Sequence, residues 1–543
     1  MKKILGACIG SCVHVAGIIN FLNLAGRHGY HTKFLGSACK IEKLKEGIEK
    51  YNPEIVAVSY RLSPESAVKL FKELNEKVIK DLKKKNIEFI LGGTKPVAEA
   101  GEKLGIFDVI FTGEESISEI ENFLSRKKIK IKSEIPPQNI VERVRYKSPR
   151  PIIRHHFGQP TLKETVEGIK KISSSGLLDV ISIGPDQNTQ EFFFHPEKMD
   201  KKQDGAGGVP LRSAGDFKKL YRASKTGNYP LLRCYSGTND IIRMAEVLKD
   251  TINNAWCAVP LCWYNELDSR SERKLEDAVA ENQSAMKWHA DRDIPVEINE
   301  SHHWSLRYSP DPVAVAAAYI AAYNAKKLGV KVYVSQYMFN TPLETSFTMD
   351  MAKMLAKIEL IESLHDKNFT TLRQTRTGLF SYPADYDESK GQLASSVLLQ
   401  MQLKPHILHV VAYCEANHAA GADDIIESIK IAKKVVDNYL YGCPDMKLDK
   451  EVKSRKKELI SDARMIIEKI KMLDREKKYD DPLLSPYIIS KAIKKGILDA
   501  PHLHGVKAAA GKVRTMFVRG KNVTIDGKGR QITEKERLDR IKI

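Results

Sequence analysis

From its first residue to about residue 125 the chain alternates short apolar runs with amphipathic stretches, and that rhythm admits few folds. Strand-like runs cover 4–9, 32–35, 55–60, 88–91 and 109–111, with helical patterns over 17–26 and 64–84. Such alternation predicts an α/β domain with a doubly wound, flavodoxin-like parallel sheet. Ligands of these sheets bind beyond the carboxyl ends of the strands, near the point where strand order reverses.

A second series of strand-then-helix units runs from about 152 to 440. Strands are expected over 179–184, 230–235, 256–263, 295–298, 330–335, 370–373 and 407–413, with an eighth near 488–498. Helical patterns cover 239–253, 272–291, 312–328 and 345–364. Eight such units in a span of this size predict a (β/α)8 TIM-type barrel. Residues 126–151 carry Lys127, Lys128, Lys130, Lys132, Pro136, Pro137 and Pro149 and read as an exposed linker. Residues 441–543 read as a charged helical and C-terminal extension that completes the barrel, with a solvated helix around Lys453, Arg455, Lys456 and Lys457.

With 42% hydrophobic and 29% charged residues the chain has material for a core, which excludes wholesale disorder. The net charge of +18 suits acidic ligands. Yet Lys83-Lys84-Lys85 and Lys127-Lys128 have acidic residues nearby and read as solvated faces. Without aromatic-studded RNA-binding motifs or zinc-finger spacing, nucleic acid is not an expected partner. No apolar stretch reaches 18 residues, so no membrane span is expected, and the short run after Lys2-Lys3 reads as a buried strand, not a leader. Eight scattered cysteines without a CxxC pair read as reduced thiols of a cytoplasmic protein.

The loops after three of the first domain's strands carry distinctive residues. Gly10-Ser11-Cys12-Val13-His14-Val15-Ala16-Gly17 follows the first, Ser59-Tyr60-Arg61-Leu62 the third and Gly92-Gly93-Thr94 the fourth. This trio resembles the cobalamin-binding domain, whose motif runs Asp-x-His-x-x-Gly, Ser-x-Leu, Gly-Gly. The resemblance implies that His14 is the lower axial ligand of cobalt, a role suited to imidazole. It also implies that Ser59, Leu62, Gly92 and Gly93 accommodate the displaced nucleotide tail, with Gly17, the glycine of the histidine motif, among the cofactor-binding residues. Cys12 stands where the family has the aspartate that orients the histidine, and a thiol is a poor substitute for that carboxylate.

Barrel chemistry sits at the carboxyl ends of the strands. Those positions hold Asp186, Asn188, Arg233, Tyr235, Tyr264, Asn265, Asn299, Glu300, His302, Gln336, Tyr337, Asn340, Arg373, Arg376, Glu415, Asn417 and His418. No ligand spacing marks a metal site among the histidines. The stretches Arg233-Cys234-Tyr235-Ser236-Gly237-Thr238, Tyr264-Asn265, Pro295-Val296-Glu297-Ile298-Asn299, Tyr382-Pro383-Ala384-Asp385 and the segment 491–501 resemble the large subunit of adenosylcobalamin-dependent glutamate mutase, also called methylaspartate mutase.

That resemblance implies an adenosylcobalamin (cobalt) cofactor, homolysis of its cobalt–carbon bond, and a homodimeric assembly. Arg233 would bind a substrate carboxylate, and Glu415 would hold the adenosyl ribose. Glu300 replaces a further substrate-binding arginine of the family, and no carboxylate stands near Gln336-Tyr337, where the family has an amine-binding glutamate. The expected activity is therefore a radical isomerase or mutase of a small carboxylic or amino acid related to glutamate but different from it. Its candidate catalytic residues are Arg233, Glu300, Gln336, Tyr337 and His302, the histidine as an acid/base or hydrogen-bonding group, as are His303 and His418. A non-catalytic cobalamin-binding protein and a corrinoid-dependent methyltransferase are the alternatives.

Overall fold

The run Ile4-Leu5-Gly6-Ala7-Cys8 contains nothing polar, and in the computed structural model it forms the buried centre of a sheet. The structure describes residues 2–82, 86–125, 135–235 and 237–542. The Lys83-Lys84-Lys85 run, Lys127, Lys128, Lys130, Lys132 and Ser236 lie outside the described residues. The chain divides into two compact units, Met1–Glu134 and Ile135–Ile543.

In the first unit, strands β1 (Lys3–Cys8), β2 (His31–Phe34), β3 (Ile55–Tyr60), β4 (Glu88–Gly93) and β5 (Val109–Phe111) pair in parallel, in the order β2-β1-β3-β4-β5. This is the flavodoxin-like order. The helix Pro64–Leu74 starts where Ser63 Oγ accepts the Ser66 amide at 3.3 Å and Pro64 occupies the first turn. It continues through a wider π turn, Asn75–Ile79, into Lys80–Leu82, so the helical pattern from 64 onward is one continuous element.

The second unit is built on β6 (Ile152–Phe157), β7 (Val180–Ile183), β8 (Leu231–Cys234), β9 (Cys257–Val259), β10 (Val296–Ile298), β11 (Val332–Phe339), β12 (Thr370–Thr377) and β13 (Ile407–His409). All are parallel, in the order β8-β7-β6-β13-β12-β11-β10-β9. Between β8 and β9 no ladder forms among the described residues. The Ala255 amide donates to Leu232 O at 2.9 Å and the Cys234 amide to Asn254 Oδ1 at 2.9 Å. The barrel is nearly closed, with this one seam.

The eighth strand is β6, not the segment near 488–498. That segment is the helix Pro486–Lys495, started by Ser485 Oγ on the Ile488 amide and ended at Gly496 with φ +81°. Its Ile488, Ile489, Ala492 and Ile493 are buried at helical spacing. The extension therefore does not complete the barrel but covers it. Its helix Lys450–Lys471 packs on the helices Asp311–Lys327 and Phe347–Glu362, burying Val452, Leu459, Ala463 and Ile466. Being covered, the alanine-rich Asp311–Lys327 is buried almost all round. A hairpin of β14 (Thr515–Val518) and β15 (Lys521–Thr524) follows.

The described end of the expected linker is also structured. Ile140–Lys147 is a helix capped by Asn139, and its Arg143 is wholly buried, donating to Pro137 O at 2.8 Å and Tyr229 O at 2.9 Å. Ile140 packs with Ile152, Val180, Leu231, Trp256, Val334 and Ile407, which form an apolar floor inside the barrel. Among the described residues no helix is long and apolar enough to cross a membrane, and none of the eight cysteines is in a disulfide.

Candidate functional site

Pairing in the first unit sets Cys8 opposite Ser59, Ser59 opposite Gly92, and Gly92 opposite Phe111. The three motif pieces, far apart in sequence, thus leave the sheet at one level, at its carboxyl edge. His14 is exposed on the loop between β1 and the helix Ala16–Arg27. Its Nδ1 is 3.8 Å from Cys12 Sγ. Cys12 itself is buried, and Cys8 Sγ donates to His14 O at 3.5 Å. Burial and the neighbouring Cys12 push the Cys8 thiol up to about 11, so it remains a donor.

Ser59 is buried at the end of β3. A Cβ on Gly17 would meet nothing within 4 Å, and one on Gly92 would meet only Val58 O, at 4.0 Å. A Cβ on Gly93 would lie 2.9 Å from Val97 Cγ1 and 3.1 Å from Tyr60 O, so Gly93 is required by the fold itself. Leu62 lies three residues after Ser59, and both it and Val13 are exposed apolar groups on these loops. An exposed imidazole oriented through Nδ1, with no described partner at Nε2, beside open space at two glycines, fits cobalamin.

In the barrel, strand alternation builds a polar layer directly above the apolar floor. Arg154, on β6, donates to Ser182 Oγ at 2.7 Å, Glu297 Oε2 at 3.2 Å and Gln374 Oε1 at 2.5 Å. Its Nη2 is 2.8 Å from His156 Nε2, which accepts. Arg233, on β8, donates from Nη2 to the same Glu297 Oε2 at 3.3 Å, and Trp256 Nε1 donates there at 2.6 Å. Arg233 is fully buried, and among the described residues no aligned hydrogen bond reaches its Nε or Nη1, with only the Tyr235 side chain alongside. The Tyr235 ring lies 4.5 Å from its guanidinium carbon.

One carboxylate thus serves two buried guanidinium groups. Burial would raise Glu297, but Arg233 and Arg154 hold it below the usual carboxylate range. Burial, with Arg233 alongside, pulls Arg154 down to about 9. His156 and His409, whose rings are 4.7 Å apart, are held well below the ordinary imidazole range by burial and then Arg154. Arg376, paired in register with His409, adds a further cation; among the described residues its hydrogen bond goes to Thr377 O at 3.4 Å.

The sequence-derived residues divide. His302 lies in the field of Arg376 and Glu297, and burial followed by Arg376 pulls it down to about 3, so it is neutral. Glu415, after β13, has Oε1 3.4 Å from His155 Nε2, without hydrogen-bond alignment. Gln336 shares the inward face of β11 with Val334, and its Oε1 has no partner. Tyr337 faces the other way, into the helix layer with Tyr333, Phe339 and Met351. Glu300 is internally engaged: its Oε2 accepts the amides of Leu261 at 2.9 Å and Cys262 at 3.1 Å, and its Oε1 the Trp304 indole at 2.8 Å. It braces the loop after β9 and leaves no carboxylate oxygen unengaged for a substrate. Sequence reasoning missed Arg154, His156, Gln374 and His409; the apolar residues flanking the polar run along 152–157 were the one signal for the first two.

Residues 2–121 match the family model described as B12 binding domain, and the first unit is a B12-binding domain. No curated protein matches the chain. Among solved structures, a novel cobalamin-binding protein from Desulfitobacterium hafniense DCB-2 aligns at 20% identity and a TM-score of 0.20, over 23% of this chain and 55% of its own. The apo form of the cobalamin-dependent S-adenosylmethionine radical enzyme OxsB aligns at 9% identity and a TM-score of 0.17, over 90% of this chain and 70% of its own.

Proposed function

We propose that the chain is an adenosylcobalamin-dependent radical isomerase acting on a small carboxylic or amino acid other than glutamate. The observation that carries this reading is Arg233: a fully buried guanidinium, two of whose nitrogens make no aligned hydrogen bond among the described residues, sharing the Glu297 carboxylate with Arg154. A buried donor left unmade is unfavourable, and a carboxylate is a strong acceptor for a guanidinium N–H.

When bound, the cofactor supplies a cobalt–carbon bond that breaks homolytically. His14 would hold the cobalt, and Gly17, Ser59, Leu62 and Gly92 would line the tail's passage. In the barrel, Arg233 orients the substrate carboxylate while Trp256 and Arg154 keep Glu297 from turning toward it. Gln336, whose Oε1 has no hydrogen-bond partner among the described residues, accepts from a polar or amino group of the substrate. His302, neutral, is a hydrogen-bonding group there. The apolar floor keeps water from entering below.

The test begins with the full chain and adenosylcobalamin in the dark. A histidine-ligated spectrum, lost in His14→Ala, is expected first. Amino acids and other small carboxylic acids are then screened for a substrate-dependent paramagnetic signal. Arg233→Ala should abolish that signal with cofactor binding intact. If no acid elicits it from the loaded protein, or if Arg233→Ala responds like the parent, the isomerase reading fails.

A further inference from the structure

The turn after β13 carries Cys414 and His418, and the first turn of the helix Ala422–Tyr441 carries Asp424. One ligand atom from each, a thiol sulfur, an imidazole nitrogen and a carboxylate oxygen, lie within 4.8 Å of one another. His418 Nε2 is 3.2 Å from Asp424 Oδ2. Two ligand atoms each about 2.0–2.1 Å from a tetrahedral ion stand about 3.3 Å apart. The pair is already at the spacing of one tetrahedron edge.

The surroundings fix the three groups. His418 Nδ1 is 3.3 Å from the Tyr386 hydroxyl, the kind of partner that metal-bound imidazoles have on their other nitrogen. Asp424 Oδ2 also accepts the Gly421 amide at 2.9 Å. Cys414 O accepts the amides of Asn417 at 2.8 Å and His418 at 3.0 Å, which pins the turn, and the Cys414 side chain is buried beneath it.

We infer that Cys414, His418 and Asp424 bind one zinc-class divalent ion at the carboxyl face of the barrel, next to Glu415. Thiolate and imidazole donors select borderline-soft ions and disfavour magnesium or calcium. Three protein ligands leave the fourth position of a tetrahedron open to water or a small ligand, the arrangement of catalytic rather than structural zinc. On binding, the sulfur gives up its proton to solvent and forms the metal–sulfur bond. The inference rests on this side-chain geometry and not on the cobalamin reading.

The full chain, stripped of metal with a chelator and kept free of cobalamin, is titrated with zinc against a chromophoric chelator. One tight site is expected, weakened by at least about a hundredfold, the upper end of outer-shell effects, in both Cys414→Ser and His418→Ala. His195→Ala is the control. His195 stands 3.1 Å from Asp240 and 3.4 Å from Glu197, an imidazole between carboxylates with no thiol, and its loss should change nothing. Absence of a tight site, or a site unchanged in His418→Ala, would overturn the inference. His418 is exposed, so that variant decides the matter even if Cys414→Ser does not fold.

Discussion

Cys12 Sγ lies 3.8 Å from His14 Nδ1, where the motif's carboxylate would stand. A thiol is a weak acceptor and orients the ring without adding charge. Cys12→Asp should therefore tighten histidine-ligated cobalamin binding by about tenfold, and Cys12→Ala should loosen it, by the logic of outer-shell ligand partners. Spectral titration measures both. Equal affinity in all three proteins would show that Cys12 does not position the ligand.

Gly92 and Gly93 should respond differently to alanine. A Cβ at Gly92 meets only ordinary contact, whereas at Gly93 it presses on the Tyr60 carbonyl. Gly92→Ala is expected to keep the parent's thermal stability while losing cobalamin affinity; Gly93→Ala should lower stability, on the order of 1–3 kcal/mol for an overpacked site. Melting temperature and binding, measured on the same samples, separate the two effects.

Removing the shared counter-ion of the barrel is the severe change. Glu297→Ala leaves Arg154 and Arg233 buried without it and should destabilise the second unit by about 3–5 kcal/mol. Urea unfolding followed by tryptophan fluorescence reads this directly, because the Trp256 indole donates to Glu297. A shift under about 1 kcal/mol would mean that water already screens the pair.

Glu300→Gln tests the brace after β9. Glutamine offers one accepting oxygen where the carboxylate offers two, and its amide faces a donor, so a loss of about 1–3 kcal/mol is expected. If instead stability is unchanged and substrate affinity falls, Glu300 belongs to the binding machinery.

His302 gives a signed pH effect. Burial and then Arg376 hold it down to about 3 from 6.5, so below pH 6.5 the unfolded chain takes up a proton that the folded chain refuses. The stability it contributes is complete above pH 6.5 and is lost as pH falls toward 3. His302→Asn should flatten the fall in melting temperature between pH 6.5 and 4. Parallel curves for the two proteins would contradict the burial.

Local patterns made the first unit legible: each motif piece sits within a few residues of the strand that presents it, as with Cys8 and His14. The barrel's first strand escaped because the consecutive polar residues Arg154, His155 and His156 break the apolar run expected of a buried strand, and their polarity has meaning only against Glu297, more than a hundred residues away. Tyr337 was grouped with Gln336 because β11 was expected to stop at residue 335; it runs to Phe339, and alternation sends the two side chains to opposite faces. Glu300 kept its polarity in the sequence but spends it on the amides of Leu261 and Cys262, an engagement no spacing announces.

The seam between β8 and β9 has a mechanical meaning. Seven junctions of the ring are held by ladders, but Arg233 rides on the strand whose outer side, among the described residues, is tied to its neighbour by one main-chain bond, from Ala255 to Leu232. The staves of this barrel are thus hooped everywhere except beside its most exacting cation. An anion gripped by Arg233, itself tethered to Glu297 across the gap, would act as the missing hoop, drawing the circumference shut around whatever it holds.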